Sequence, residues 1–277
     1  MIADLSGRTA LVTGGTGGTG LATALALGAR GAACVMTYRR GSADADAIRQ
    51  TWDRSGAPVA PTLIQADVGC DDDTERLMTT LRGRFDAIDI FVSNVPAALV
   101  IRGLEDYSRS SLHESLDRTA WPMVGYTQAI HRHFGRYPRY VIGRSSTGVD
   151  RFSSGYDFAA ASKAVLESLC RYLNMRLSGH DVRVNVVRSV DVRMRAGTET
   201  FGPEFTAFAG RFLRDEHMAA PEEVANAIVG LCSGLMDGYS GQVLTVDRGV
   251  TFFDNLMRLY GERERLGLTP AEATRGC

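Results

Sequence analysis

The feature that most constrains the fold is a glycine-rich turn near the start of the chain. An apolar run over residues 9–13 precedes it, and strong helix formers fill residues 21–27 after it. This succession predicts a strand, a tight loop and a helix. Glycines let a backbone pass close to a bound group, and a helix start offers free N–H groups and the positive end of the helix dipole. The turn therefore predicts a diphosphate site at Gly14, Thr16, Gly18 and Gly20.

Six further apolar runs follow, and helix-forming segments separate most of them. The runs lie at residues 32–38, 62–66, 88–93, 140–143, 182–187 and 242–246. Strands that alternate with helices at this rhythm predict a parallel sheet with helices on both faces. We therefore expect one α/β domain of about seven strands over residues 1–250, because no repeat or linker divides it. Residues 251–277 form a C-terminal extension.

Composition narrows the classes of function. The chain carries 31 basic and 32 acidic residues, so its formal charge is −1 and no global field attracts nucleic acid or an anionic membrane. No segment resembles a signal peptide or approaches the length of a membrane span. Scattered cysteines indicate reduced thiols, and the pair His131 and His133 indicates a solvated helix end. We expect a cytoplasmic protein without a bound metal.

Several short motifs occur in order along the chain. They are the T-G-x-x-x-G-x-G pattern at residues 13–20, Asp67-Val68, Ser93-Asn94, the segment from Ser146 to Lys163, and the segment from Gly241 to Asp247. Together these motifs resemble the short-chain dehydrogenase/reductase family over roughly residues 5 to 250. The resemblance implies a Rossmann-type doubly wound sheet that binds a nicotinamide dinucleotide.

The resemblance also implies roles for individual residues. Asp67 and Val68 would flank the adenine, and Asn94 would lie under a ribose of the cofactor. Lys163 would hydrogen-bond the nicotinamide ribose. Backbone atoms of Val192 would contact the nicotinamide.

The residues after the second strand distinguish the two nicotinamide cofactors. An acidic residue there binds a ribose hydroxyl and repels a 2′-phosphate, whereas guanidinium groups bind phosphate strongly. This chain has Tyr38, Arg39 and Arg40 at that point and no carboxylate. The charges favour NADPH. The alternative is that both arginines are only solvated.

Catalytic chemistry is indicated by a tyrosine and a lysine near residue 160. Tyr156 lies seven residues before Lys163, so on a helix the two side chains share a face, about 10 Å apart along the axis. Ordinary members of the family carry a tyrosine four residues before the lysine, and that position is Ala159 here. The seven-residue spacing resembles the enoyl-thioester reductases within the family. Alternatively, Tyr156 is an ordinary residue at a helix start.

The longer spacing has a chemical reason. In enoyl-thioester reduction the hydride goes to Cβ, while negative charge develops on the more distant carbonyl oxygen. The hydroxyl that stabilises this charge must therefore lie further from the nicotinamide than in ketone reduction. The charge of Lys163 would lower the pKa of the phenol or steady the enolate. Ser146, seventeen residues before Lys163, takes the position of the family's substrate-orienting serine, with Ser145 as the alternative.

Other segments depart from the family pattern. Arg188-Ser189-Val190 replaces a Pro-Gly pair after the sixth strand, and Thr119 replaces an asparagine of the fourth helix. Pro122 in that helix predicts a kink.

Apolar periodicity suggests contacts with substrate and with other subunits. The phenylalanines at helical spacing predict either a substrate wall within residues 194–218 or a helix packed on the core. They are Phe201, Phe205, Phe208 and Phe212. A leucine stripe and the family resemblance predict a homodimer or homotetramer, and the tail predicts a docking helix or plain surface packing. The stripe is Leu166, Leu169, Leu173 and Leu177.

These features favour NADPH-dependent reduction of the carbon–carbon double bond of a trans-2-enoyl thioester. The acyl chain would be carried by acyl carrier protein or coenzyme A. Tyr156, Lys163 and Ser146 are the catalytic candidates. Two alternatives stay open. One is a carbonyl reductase of the 3-ketoacyl type, and the other is a silent NADP-binding protein in which Ala159 marks lost chemistry.

Overall fold

Seven parallel strands build the sheet of this computed structural model, which describes residues 3–39, 44–95, 100–190, 203–212 and 215–268. The strands are β1 (Thr9–Val12), β2 (Ala33–Tyr38), β3 (Thr62–Gln65), β4 (Ile90–Ser93), β5 (Tyr140–Ser146), β6 (Arg183–Ser189) and β7 (Val243–Val246). Their order across the sheet is β3-β2-β1-β4-β5-β6-β7. The predicted doubly wound parallel sheet is confirmed.

Helices cover both faces of the sheet. They are α1 (Gly18–Gly28), α2 (Ala45–Arg54), α3 (Asp71–Arg82), α4 (Arg109–Thr119), α5 (Trp121–Phe134), α6 (Asp157–Arg176), α7 (Pro203–Phe212), α8 (Pro221–Cys232) and α9 (Asn255–Gly261). One hydrophobic cluster contains residues of α3, α5 and α6, and a second contains residues of α1, α2 and α8. The core is therefore two layers, one on each side of the sheet.

Local sequence explains where these elements begin and end. All four residues of β1 are buried, as expected for a strand covered on both faces. The side chains of Asp44 and Ser108 cap α2 and α4 by accepting hydrogen bonds from backbone N–H groups. Gly135 ends α5 with φ +72°, a left-handed conformation that glycine adopts readily.

The order of the strands changes direction between β1 and β4. Val12 of β1 pairs with Met36 of β2 on one side and with Val92 of β4 on the other. The chain continues from β1 to β2 and β3 in one direction, and from β4 to β7 in the other. The loops after β1 and β4 therefore diverge and leave a crevice at the carboxyl edge of the sheet, where ligands bind in this type of fold.

The prediction of one kinked helix around Pro122 was wrong, because the structure contains two helices. α4 ends at Thr119, and α5 begins at Trp121. Pro122 lies in the first turn of α5, where its missing N–H removes no helical hydrogen bond.

The leucine stripe of α6 packs on the core of its own chain. Leu166 and Leu177 are buried in the first hydrophobic cluster, and Leu169 and Leu173 pack partly buried against it. Leu166 and Leu177 are therefore core residues. The subunit contact predicted for this stripe stays a prediction, with the half-buried Leu169 and Leu173 as its accessible members.

The C-terminal extension contacts α7. The guanidinium of Arg258 donates to the carbonyl oxygen of Phe212 at 2.5 Å, and that of Arg265 donates to the carbonyl oxygen of Arg211 at 3.5 Å. These bonds satisfy carbonyl groups at the end of α7 that have no partner within the helix. Among the described residues, no helix has the length and apolarity needed to cross a membrane.

Candidate active site

The glycine turn brings the start of α1 against the end of β1. Gly14 and Gly18 have φ values of +61° and +51°, in the left-handed region that favours glycine. A Cβ at Gly20 would lie 2.2 Å from the carbonyl oxygen of Gly14, so no side chain fits there. Thr16 lies half-buried within this turn. The turn therefore has the close backbone approach that a diphosphate site requires.

The first turn of α1 suits an anion. Its N-cap residue is Gly17, no side chain caps the helix, and no acidic residue lies in the first turn. Leu21 makes the first backbone bond of the helix, to the carbonyl oxygen of Gly17 at 3.1 Å. The positive end of the helix dipole therefore faces the glycine turn, and the first turn of the helix itself carries no carboxylate to neutralise it.

Asn94 connects the two loops that border the crevice. Its backbone N–H donates to Oγ1 of Thr13 at 3.0 Å, and its side-chain amide donates to the carbonyl oxygen of Gly14 at 3.2 Å. The asparagine thus holds the glycine turn in place from β4. Its expected contact with a cofactor ribose stays a prediction.

The residues expected near the adenine lie on the other side of the crevice. Asp67 accepts from Nη1 of Arg118, which lies 3.0 Å from each of its carboxylate oxygens. Val68 is buried within the first hydrophobic cluster. The motif Asp67-Val68 did not predict this contact, because Arg118 lies 51 residues further along the chain on α4. The adenine contact itself stays a prediction.

The residues expected to select the cofactor follow β2. Tyr38 is half-buried at the end of the strand, and Arg39 is exposed beside it. Arg40 and Val192 lie outside the described residues.

Tyr156 stands at the beginning of α6. It is the residue before the helix, and its carbonyl oxygen accepts the first helical bond from Ala160 at 2.7 Å. The ring lies against Gly148, where an added Cβ would be 2.7 Å from Cδ1 of the tyrosine. Gly148 therefore gives the ring its space. The sequence motif did not identify this glycine.

The structure separates the two neighbouring serines. Ser146 is half-buried, and its Oγ accepts from the N–H of Gly148 at 3.2 Å. Ser146 and the ring of Tyr156 therefore lie next to the same glycine. Ser145 is buried, and its Oγ donates to Oε1 of Glu167 at 2.5 Å. Ser146 is thus the serine that accompanies the tyrosine, and Ser145 belongs to a buried network.

Lys163 is buried two turns along α6. Its side chain is close to fully covered, with 5% of the residue exposed, and Nζ donates to the carbonyl oxygen of Arg144 at 2.6 Å. Ala159, at the usual position of the family's tyrosine, is 3% exposed. Two phenols therefore lie at the start of α6: that of Tyr156, and that of Tyr107, whose hydroxyl donates to the carboxylate of Asp157 at 2.6 Å.

A buried ion pair lies one turn beyond the lysine. Nε of Arg188 is 2.6 Å from Oε1 of Glu167, and Nη2 is 2.5 Å from Oε2, so the pair is bidentate. Arg188 also pairs with Asp150 in the turn after β5. The hydrogen bonds with Glu167 raise the pKa of the Arg188 guanidinium. This arginine occupies the segment where the sequence departs from the family, and sequence reasoning assigned it no role.

A small cleft lies beside the tyrosine. It has a volume of about 180 Å³, and its lining includes Ile101, Leu104, Tyr107 and Phe152 together with both sequence neighbours of Tyr156. The N–H of Ile101 donates to the carbonyl oxygen of Gly155 at 3.2 Å, which joins the loops after β4 and β5. The cleft is thus lined by apolar side chains together with Arg102, Ser154 and Asp157.

The predicted aromatic wall is described only in part. Phe208 is 55% exposed, and its ring lies 4.6 Å from that of Phe212 on α7. Phe201 and the side chain of Phe205 lie outside the described residues. Within the described residues, no group of three or more His, Cys, Asp or Glu side chains is arranged to hold a metal ion.

Comparisons with known proteins agree with this geometry. The sequence model of the family described as Enoyl-(Acyl carrier protein) reductase matches residues 14–251. The chain is similar to 3beta-hydroxysteroid dehydrogenase 1 of Eggerthella lenta, with 30% identity over 91% of this chain and 97% of that protein.

Solved structures share the architecture. A short chain dehydrogenase from Burkholderia cenocepacia in complex with NADP is 25% identical, with a TM-score of 0.77 over 89% of this chain and 99% of that one. The enoyl-acyl-carrier-protein reductase (NADH) from Aquifex aeolicus has a TM-score of 0.78 over 90% of this chain and 98% of that one, at 21% identity. The second likeness concerns the fold alone.

Proposed function

Since the chain belongs to the short-chain dehydrogenase/reductase superfamily, we propose that this oxidoreductase uses NADPH to reduce the double bond of a trans-2-enoyl thioester. The acyl group is carried by acyl carrier protein or coenzyme A. The observation that carries the proposal is the position of Tyr156 immediately before α6, two turns before the buried Lys163. The intervening Ala159 has no proton to give.

The residues of the crevice fit a dinucleotide. The open start of α1 and the side-chain-free turn from Gly14 to Gly20 suit its diphosphate. When bound, the nicotinamide supplies the hydride.

Tyr156 and Lys163 then provide the electrostatic part of the reaction. The phenol O–H donates a hydrogen bond to the thioester oxygen, where negative charge develops. A preplaced donor of this kind typically contributes about 3 kcal/mol to transition-state stabilisation. The buried ammonium of Lys163 favours the negative charge, and Ser146 orients the substrate beside the ring.

The preference for NADPH rests on the end of β2. Arg39 is exposed next to the crevice edge, and the related Burkholderia dehydrogenase was solved with NADP. Replacing Arg39 and Arg40 by alanine is expected to weaken NADPH binding at least about tenfold more than NADH binding, because only NADPH carries the 2′-phosphate. Fluorescence titration with both cofactors measures this. An equal loss for the two contradicts the phosphate assignment.

The similarity to a hydroxysteroid dehydrogenase favours a second candidate. In that case the protein is a carbonyl reductase, and Tyr156 or a water molecule provides the proton. Ser146 and Lys163 keep their roles.

Substrate assays distinguish the candidates. NADPH oxidation is followed with a trans-2-enoyl thioester, a 3-ketoacyl thioester and a 3-oxosteroid. Turnover of the first alone supports the enoyl reductase, and turnover of either ketone alone supports the carbonyl reductase. If the protein binds the cofactor but turns over none of the three substrates, the result indicates the silent NADP-binding protein.

We also propose that the protein assembles as a homodimer or homotetramer. Exposed apolar side chains on α6 and α5 support this, and they lie off the leucine stripe. They are Val165, Tyr172, Met175 and Trp121. Light scattering coupled to gel filtration measures the mass, and a monomer at micromolar concentration contradicts the proposal.

A further inference from the structure

Two opposite charges lie one turn apart on the buried side of α6. Lys163 and Glu167 are four residues apart, and they are 5% and 4% exposed. Residues at this spacing are neighbours on a helix surface, within reach of an ion pair. In a buried setting such a pair forms strongly, because water screens it little.

Arg188 binds the carboxylate from the other side. Its guanidinium contacts both oxygens of Glu167, and Ser145 donates a further hydrogen bond to Oε1. These contacts hold the carboxylate toward β5 and β6. The negative charge of Glu167 is therefore balanced by a cation of β6.

Several charged or titratable groups of the described residues surround this part of α6. They are Tyr156 just before α6, Asp157, Lys163, Glu167 and Cys170 of α6, Tyr107 whose hydroxyl donates to Asp157, Arg144 of β5, Asp150 after β5, Arg188 of β6 and Tyr126 of α5. Burial raises the pKa of Tyr126 to about 12, so that phenol stays neutral at ordinary pH. The buried residues of α4, which packs on α6, are Ser115 and Thr119, and both are uncharged.

We infer that Arg188 is a positioning residue that holds the charge of Glu167 away from Lys163, so that the lysine acts on the Tyr156 phenol. The inference rests on the proposed function, in which that phenol and that ammonium work together. It explains why an arginine stands at the end of β6 in this chain. Arg188 touches neither the substrate nor the cofactor in this role.

The expected effects have opposite signs in two single variants. In Arg188→Met the carboxylate loses its partner, and the negative charge turns to Lys163. A nearby negative charge disfavours the phenolate, so Tyr156 titrates at higher pH. In Glu167→Gln a buried carboxylate is lost and Arg188 keeps only Asp150 as its partner, so the local charge is more positive and Tyr156 titrates at lower pH.

The test is an ultraviolet titration of the phenolate. In each background, the spectrum of the Tyr156→Phe version is subtracted, so that the difference reports Tyr156 alone. Arg188→Met is expected to raise the midpoint by about one pH unit, and Glu167→Gln to lower it by a similar amount. The double variant returns it to the wild-type value, because both charges are gone. The pH profile of turnover is expected to shift in parallel.

Arg183→Met is the matched control. Arg183 is also an ion-paired arginine of β6, but its partners Asp181 and Asp237 lie at the opposite end of the strand. Its loss is expected to leave the Tyr156 midpoint unchanged.

Each outcome decides the inference. Midpoints that do not move, or that move in the same direction in both single variants, overturn it. If Arg188→Met does not fold, Glu167→Gln and the double variant still test the inference. Glu167→Gln is expected to shift the midpoint of Tyr156, and the double variant is expected to leave it unchanged. The titration needs no turnover, so a failure of all substrate assays refutes the proposed function without affecting this result.

Discussion

Two ion-pair networks lie at opposite ends of β5 and β6, and water reaches them to different extents. At the amino end, Arg139 pairs with Asp181 and with Asp237, each at 2.7 Å. Arg183 pairs with the same two aspartates, and the hydroxyl of Tyr140 donates to Asp237 at 2.9 Å. The side chain of Asp181 is 59% exposed.

At the carboxyl end, the pair of Arg188 and Glu167 is almost completely covered, whereas Asp150, the other partner of Arg188, is 62% exposed. Arg188 pairs with Glu167, whose side chain is 5% exposed, and Lys163 and Arg144 are buried beside them. Ser145 completes the hydrogen bonding of the carboxylate.

The difference separates structural charges from charges placed for chemistry. A buried ion loses several kcal/mol of hydration, roughly regained only when its partners are well placed. The exposed Asp181 avoids most of this cost and gains little, whereas Arg183 and Asp237 of the same network are partly buried. The carboxyl-end network bears the cost at the edge of the sheet where the crevice opens. The buried charges therefore lie where the proposed positioning role of Arg188 requires them.

Removing one carboxylate from each network tests this contrast most strongly. Glu167→Ala is expected to lower the free energy of unfolding by about 3–5 kcal/mol, because it leaves a buried guanidinium short of a partner. Asp181→Ala is expected to cost at most about 1 kcal/mol. Urea denaturation of both variants measures the two losses. Equal losses contradict the role of burial.

A matched pair of tyrosines separates the two ends by activity. Tyr156→Phe is expected to lower turnover by about 10² or more with NADPH affinity nearly unchanged, because the donor to the developing charge is lost. Tyr140→Phe removes a hydroxyl from the amino-end network and is expected to leave turnover unchanged, at a cost of about 1 kcal/mol in stability. Steady-state kinetics and cofactor titration measure both. Full activity in Tyr156→Phe removes that residue from the mechanism.

The amino-end network gives stability a pH dependence. Burial raises the pKa of Asp237, but hydrogen bonds from Arg139 and Tyr140 outweigh it and hold the pKa below its ordinary value. A carboxyl whose pKa is lower in the folded state stabilises the fold above the unfolded pKa of about 3.9, and this contribution is lost as the pH falls through the folded pKa.

Asp237→Asn is therefore expected to be less stable than the wild type at pH 7 by about 1 kcal/mol. The difference is expected to shrink as the pH is lowered toward 3. Denaturation curves at several pH values measure it. A difference that stays constant with pH contradicts this assignment.

Two buried thiols test whether burial outweighs nearby charge. Burial raises the pKa of Cys170, whose Sγ donates to the carbonyl oxygen of Val184, to about 12, and it also raises the pKa of Cys232. Both are expected to react with a thiol reagent at least about 10² times more slowly than Cys70, which is partly exposed. Labelling in a Cys277→Ser background, followed by peptide mass mapping, measures the rates. Fast labelling of Cys170 or of Cys232 contradicts the expectation.

The sequence allowed the strands of the fold to be predicted because parallel strands are buried on both faces. Such strands appear as continuous apolar runs, as in β1 and β4. The glycine turn and the spacing from Tyr156 to Lys163 are equally local. Spacing identifies an apolar face but not what covers it. On the leucine stripe of α6, the core of the same chain buries Leu166 and Leu177.

The rest of the site depends on contacts between distant parts of the chain. Arg118 binds Asp67 across 51 residues, and Arg188 binds Glu167 across 21. Gly148 was missed because its importance comes from the ring of Tyr156 packing on it. Such contacts follow from the packing of the loops and helices at one edge of the sheet, which a local motif does not contain.

The bonds from Arg258 and Arg265 to α7 have a practical consequence for anyone expressing this protein. A clone cut back to the end of the family match at residue 251 removes both donors and exposes the last carbonyls of that helix. Purification handles therefore belong on the amino-terminal side of the gene, and shortened versions are poor material for kinetics.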